Sequence, residues 1–199
     1  MGSYRFGFGL VDNSGQAWYW GDNPAGQIGD NTTTARNTPV AVCGGHTFCK
    51  IGIGRWVASF GIDINGQGWG WGQGVIGQLG DNTTIDRCTP VAICGGHTFC
   101  DIAGGLFGCH AIDIHGQLWG WGYNNCGTIG NNTIISKRTP VATCGGHSFK
   151  RVATDENWIL AIKENGEMWA WGRNNNGQLG DNTTTSRLTP VLVCQTYIP

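Results

Sequence analysis

Charge is scarce in this chain and nearly cancels: Asp, Glu, Lys and Arg make up 13% of 199 residues and leave a net charge of −1. Lys and Arg are scattered, so the basic stripe that holds a phosphate backbone is missing and a nucleic-acid partner is not expected. No run of about eighteen apolar residues occurs, which excludes a membrane-spanning helix. The opening residues Met1 to Phe6 lack the apolar core of a secretory signal. Helical periodicity is absent throughout. Nucleophile-elbow, phosphate-loop and His-Glu-x-x-His motifs are also absent, as is the C-x₂-C spacing of zinc sites. The chain is therefore expected to be no enzyme, with no catalytic, cofactor or metal-ligating residues.

Glycine and tryptophan are abundant instead, at 35 and 10 residues, and their placement is periodic. Trp18-Tyr19-Trp20-Gly21 returns as Trp69-Gly70-Trp71-Gly72, Trp119-Gly120-Trp121-Gly122 and Trp169-Ala170-Trp171-Gly172, at offsets of 51, 50 and 50. The Gly-Gln-Ile/Leu-Gly segment that starts at Gly26, Gly77 and Gly177 keeps the same register, in altered form at Gly127. So do Thr-Pro-Val at Thr38, Thr89, Thr139 and Thr189, and cysteines at Cys43, Cys94, Cys144 and Cys194. The chain divides into one domain of four repeats, approximately 1–43, 44–94, 95–144 and 145–199. In the third repeat, Phe99–Ala103, His110–Ile114 and Gln117–Trp121 read as strands, and a last strand starts at Pro140. Asn65-Gly66 and Asn165-Gly166 read as type I′ hairpin turns. Each repeat is then a blade of about four antiparallel strands, and the fold class is all-β, a β-propeller-type array forming a closed small ring or an open arc.

The core Ala111-Ile112, His115-Gly116-Gln117-Leu118-Trp119-Gly120-Trp121-Gly122, followed by segments such as Gly177-Gln178-Leu179-Gly180, resembles the regulator of chromosome condensation repeat. That family's propellers usually close with seven blades. Its members include guanine-nucleotide exchange factors, a propeller-type β-lactamase inhibitor, a plant ultraviolet-B photoreceptor and bacterial and phage surface proteins. The resemblance implies protein binding by loops on a rigid frame. Nothing before Tyr4 matches the strand at Phe48–Ile51, and the residues after Cys194 do not replace it, so the array reads as cut at both ends. A closed ring, an arc completed by a second chain, a fibre and a piece of a longer protein all remain open.

Within each Trp pair the two rings face one side of a strand; inter-blade core is the favoured role, with aromatic ligand platforms as the alternative. Trp56 and Trp158 fall outside the period and are candidates for exposed contacts. His46, His97 and His147 are expected to bond turn backbone. Asp12, Asp63 and Asp113 precede hairpin turns, which suggests structural work. Cys43–Cys49 and Cys94–Cys100 are C-x₅-C pairs that could each close a short loop as a disulfide, against the plainer reading of free buried thiols. Asn31, Asn82, Asn131 and Asn182 head sequons and are candidate glycosylation sites, although the same segments read as turn chemistry. The residues that change between repeats are the candidate binding loops: Asn23 and Pro24, Gln73 and Val75, Tyr123 and Asn125, Arg173 and Asn175.

The expectation is a non-catalytic binding or assembly module on a cell or virion surface, meeting a protein or glycan partner through loops and forming a homo-oligomer or fibre. A self-assembling structural subunit and an intracellular exchange-factor-like regulator are the alternatives.

Overall fold

The structure, a computed structural model, describes residues 7–54 and 58–194. They form a partial propeller arc of four antiparallel sheets. Blade 1 contains β1 (Gly7–Val11), β2 (Ala17–Gly21) and β3 (Arg36–Ala41). Blade 2 contains β4 (Phe48–Ile53), β5 (Ala58–Asp63), β6 (Gly68–Gly72) and β7 (Arg87–Ala92). Blade 3 contains β8 (Phe99–Gly104), β9 (Gly108–Asp113), β10 (Leu118–Gly122) and β11 (Lys137–Ala142). Blade 4 contains β12 (Arg151–Thr154), β13 (Trp158–Ile162), β14 (Met168–Gly172) and β15 (Arg187–Leu192). Blade 1 lacks a counterpart of β4, β8 and β12 among the described residues, as its sequence implies.

Two local expectations change. The last strand of each blade begins before its proline: Pro140 lies inside β11, where the pairing with β10 shifts between Gly120 and Gly122. An edge strand at a bulge tolerates the missing N–H. The hairpins are not type I′ turns either. Only the glycine is left-handed, as at Gly66 (φ 81°), and its amide bonds Asp63 O at 2.9 Å. The aspartate fastens the rest. Asp63 Oδ1 accepts from the amides of Asn65 and Gln67, while Oδ2 accepts from Trp69 Nε1 at 3.0 Å. Asp113 and Asp12 repeat the pattern with Trp119 and Trp18.

The apolar core sits between blades, because each sheet is too thin to bury a face against itself. Blades 1 and 2 share Ala17, Tyr19, Ile28, Val42, Phe48 and Trp71. Leu79 and Ile93 of blade 2 pack with Phe99 and Trp121 of blade 3. Ile112 and Leu118 of blade 3 pack with Phe149, Ile159 and Trp171 of blade 4. Trp71, Trp121 and Trp171 are each 0% exposed, which supports the core role for the second ring of the pair. The first ring is half-buried, and His46, His97 and His147 cover Trp69, Trp119 and Trp169 at centroid distances of 3.8, 3.8 and 4.0 Å. Ring stacking thus takes the place of the expected backbone bond.

Each blade also balances volume inside its own hairpin. The cross-strand partners are Gly9 and Tyr19, Phe60 and Gly70, His110 and Gly120, Leu160 and Ala170. One large residue always faces a small one, and which strand carries the large one differs. The reason is contact: a Cβ on Gly9 would lie 2.7 Å from the Tyr19 ring. Two large partners would overpack a layer that has no slack.

Candidate functional site: blade junctions and rim loops

Every internal junction is fastened by the same three bonds. The buried Trp of the later blade donates to a loop carbonyl of the earlier one: Trp71 Nε1 to Gln27 O at 2.9 Å, Trp121 Nε1 to Gln78 O at 2.9 Å, and Trp171 Nε1 to Thr128 O at 2.7 Å. A left-handed asparagine sends its amide across: Asn31 to Cys88 O, Asn82 to Arg138 O and Asn132 to Leu188 O, at 2.9 to 3.0 Å. Third, the amides of Phe48, Phe99 and Phe149 bond the turn carbonyls of Gly15, Gly66 and Gly116 at 2.8 Å.

The second of these bonds falls within the sequon segments of blades 1 to 3. Asparagine tolerates positive φ better than other side chains that carry a Cβ, and Asn31, Asn82 and Asn182 take φ 63°, 62° and 60° with exposed side chains. In blade 3 Asn132 takes that seat (φ 60°). Asn131 replaces the aspartate before it: half-buried, it accepts from the Thr133 amide and hydroxyl as Asp30 does from Thr32. Asp30, Asp81 and Asp181 further pair with Arg36, Arg87 and Arg187 at 2.6 to 2.9 Å, tying each loop to its last strand.

The loop between third and fourth strands forms the rim. Asn23, expected as a contact residue, is 1% exposed. Its Nδ2 donates to the carbonyls of Thr32 and Thr34, and its Oδ1 accepts from the Ile28 amide. Asn124 and Asn174, both 0% exposed, do the same in blades 3 and 4. Asn23 is therefore frame, and the surface of its loop is Pro24. Val75, Asn125, Arg173 and Asn175 are exposed, while Gln73 and Tyr123 are half-buried. Sequence reasoning missed the apolar rim residues Ile85, Ile134 and Ile135, which are 57%, 57% and 63% exposed. Blades 1 and 4 have threonines there, and that contrast was the available signal. Of the off-period tryptophans, Trp158 is half-buried in β13, and Trp56 lies outside the described residues.

The disulfide expectation is overturned: all nine cysteines are free. Cys49 Sγ turns away from Cys43 to donate to Ile62 O and Asp63 O at 3.4 Å, and Cys100 does so to Ile112 O and Asp113 O at 3.5 and 3.3 Å. Cys43 and Cys94 are held elsewhere, their amides on Gly29 O and Gly80 O. Titration of the native protein with a thiol reagent is expected to find the exposed Cys49, Cys100, Cys144 and Cys194 reactive and Cys109 inert. Burial pushes the Cys109 thiol up, so it holds its proton. Protection of Cys49 and Cys43 together would restore the bridge.

Residues 165–197, the end of blade 4, match the regulator of chromosome condensation (RCC1) repeat model. The fourth blade carries an RCC1 repeat. The register of the other three blades extends the pattern along the chain. The RCC1-type arc superposes on human WBSCR16 with a TM-score of 0.83 at 19% identity, covering 95% of this chain and 51% of that one. Yeast RCC1 (Prp20), solved bound to Kap60, gives 0.81 at 18%, covering 96% and 47%. Prp20p from Saccharomyces cerevisiae gives 0.79 at 19%, covering 96% and 49%. At these identities the likeness is one of fold, and the chain spans about half the length of the solved structures it matches.

Proposed function

We propose that the chain is a non-catalytic binding module whose partner is a protein held on the rim of the middle blades. One observation carries this reading: a repeated frame presents an exposed tip at the equivalent position of each blade, and its residue changes from proline to valine to asparagine along the arc. Those tips are Pro24, Val75, Asn125 and Asn175, on loops framed in three blades by Asn23, Asn124 and Asn174. The frame rests on the left-handed glycine in all four blades and on the buried asparagine in three, while the tip side chain points to solvent. Blades 2 and 3 add Ile85, Ile134 and Ile135, so the middle of the rim is apolar where its flanks are threonine. Apolar residues clustered among polar neighbours suit a protein contact better than a sugar or a phosphate. The similar yeast RCC1 (Prp20) was solved with a protein, Kap60, which is consistent with the mode.

The test is affinity capture from source cells with the wild-type chain and with Val75→Asp/Ile85→Asp/Ile135→Asp, followed by quantitation of the bound proteins. These exposed substitutions are expected to leave folding intact and to reduce a specific bound protein by roughly tenfold or more. Identical capture by both chains would refute the rim as the contact.

A further inference from the structure

The two ends of the arc carry the two halves of the junction that is used three times inside it, and we infer that they dock head to tail, the fourth blade of one copy receiving the first blade of another. This goes beyond the rim-loop reading and does not depend on it.

The receiving half is preformed. In blades 1 to 3, three left-handed glycines per blade press against the next blade. Added Cβ atoms would meet Thr47, Thr98 or Ser148 from Gly15, Gly66 and Gly116, Cys88, Arg138 or Leu188 from Gly26, Gly77 and Gly127, and Trp71, Trp121 or Trp171 from Gly29, Gly80 and Gly130. Their counterparts in blade 4 keep the conformation without the neighbour. Around Gly166 nothing lies within 4 Å, Gly177 meets only Thr183 O at 3.9 Å, and Gly180 meets only Val193 at 3.1 Å. The resulting open cavity of about 820 Å³ is lined by Gly177, Gly180, Asn182, Thr183, Thr184 and Cys194. Asn182 already holds the left-handed φ of 60°, and its amide has no backbone partner among the described residues.

The inserting half carries the groups for two of the three junction bonds. Trp20 sits at the position of Trp71, Trp121 and Trp171 but is only half-buried, stacked on Phe8 at 5.8 Å. Phe8 and Leu10 are 60% and 45% exposed. Blades 2 to 4 keep Gly61, Ala111 and Ala161 at the Leu10 position, and a Cβ on Gly61 would strike the Phe48 ring of the first strand at 2.7 Å. Blade 1 has no such strand among the described residues, and Leu10 extends its face instead. Docking would set Trp20 Nε1 on Gln178 O and the Asn182 amide on Asn37 O, the seats occupied at each internal junction. The Gly166 carbonyl, whose equivalents bond Phe48, Phe99 and Phe149, stays on the rim. Such a contact is heterologous, so it closes into a ring or continues as a filament.

The experiment is sedimentation velocity on the full chain across the micromolar range, with reductant present. The wild type is expected to shift from monomer to dimer or longer species as concentration rises. Phe8→Asp/Leu10→Asp spoils only the inserting face, and Asn176→Arg spoils only the receiving face, at the seat of the buried Ala25. Each alone is expected to be a folded monomer, checked by circular dichroism. An equimolar mixture retains one good face of each kind and should stop at the dimer. A wild type that stays monomeric, a variant that assembles like wild type, or a mixture that stays monomeric overturns the inference.

Discussion

Trp121→Ala is expected to remove about 3–5 kcal/mol of stability, whereas Trp20→Ala, at the same position of the first blade, should remove about 1 kcal/mol. The side chains are chemically identical and differ in what covers them. Trp121 is 0% exposed between Leu79 and Ile93 on one side and Phe99 and Cys109 on the other. Its Nε1 also satisfies the Gln78 carbonyl, which truncation would leave buried and unpaired. Trp20 is half-buried and stacks on one ring, Phe8. Chemical denaturation at low protein concentration measures both values. Equal losses would mean that the stabilisation lies within blades, and the description of the core as a set of junctions would be wrong.

Stability is expected to fall by about 3 kcal/mol as pH drops from 6.5 toward 4, and His110→Phe should abolish most of that fall. His110 is 2% exposed, and burial lowers its pKa from 6.5 to about 4. Its Nε2 lies 2.9 Å from Thr128 O, while Nδ1 is buried without a hydrogen-bond partner among the described residues. The neutral ring is tolerated and the charged ring is not. The unfolded chain therefore takes up a proton below 6.5 that the folded chain refuses until about pH 4, and mass action favours unfolding across that window. Burial lowers His46, His97 and His147 in the same direction, but they are partly exposed and contribute less. Phenylalanine is a natural occupant of the seat, since Phe60 faces Gly70 in blade 2 as His110 faces Gly120 in blade 3. Below pH 4 a different loss begins. Hydrogen bonds from Ser14 and Trp18 hold Asp12 at about 2, and those from Thr183 and Arg187 hold Asp181 there. Their stabilisation is complete above 3.8 and disappears toward pH 2 in wild type and variant alike. Denaturant midpoints measured from pH 7 to 4 decide the matter; a variant as acid-sensitive as wild type would acquit His110.

The blades were legible because their landmarks recur in register. Turn aspartates, Trp pairs and Thr-Pro-Val segments answer to local needs that each blade repeats. Features that live between blades were harder to read. The left-handed turn at Asn31, Asn82 and Asn182 is local, since Asn182 keeps it without a neighbour, but the carbonyls in the next blade that Asn31 and Asn82 bond could not be read from the sequence. Asn23 looked variable because blade 2 has Gly74 in its place. There the loop closes in until a Cβ would strike the Ile85 carbonyl oxygen, with Asp86 accepting from the Gly74 amide. Cys43 and Cys49 are close in sequence, but the sulfur of Cys49 answers to β5 and not to the turn between them. The two tryptophans of a pair read alike, and only the neighbouring blade separates the buried ring from the one under a histidine.

The exchange of large and small partners across each hairpin bears on how such repeats can be inherited. Tyr19 is acceptable because Gly9 faces it, and Phe60 because Gly70 does. Copying a single strand between the first repeat, whose large residue is on the later strand, and any of the other three would set two large residues, or two small ones, against each other. The smallest segment that can pass intact between the first repeat and another is thus the whole hairpin, and shorter gene conversion tracts there should be purged. The repeats can drift apart in sequence while each hairpin keeps the same total volume.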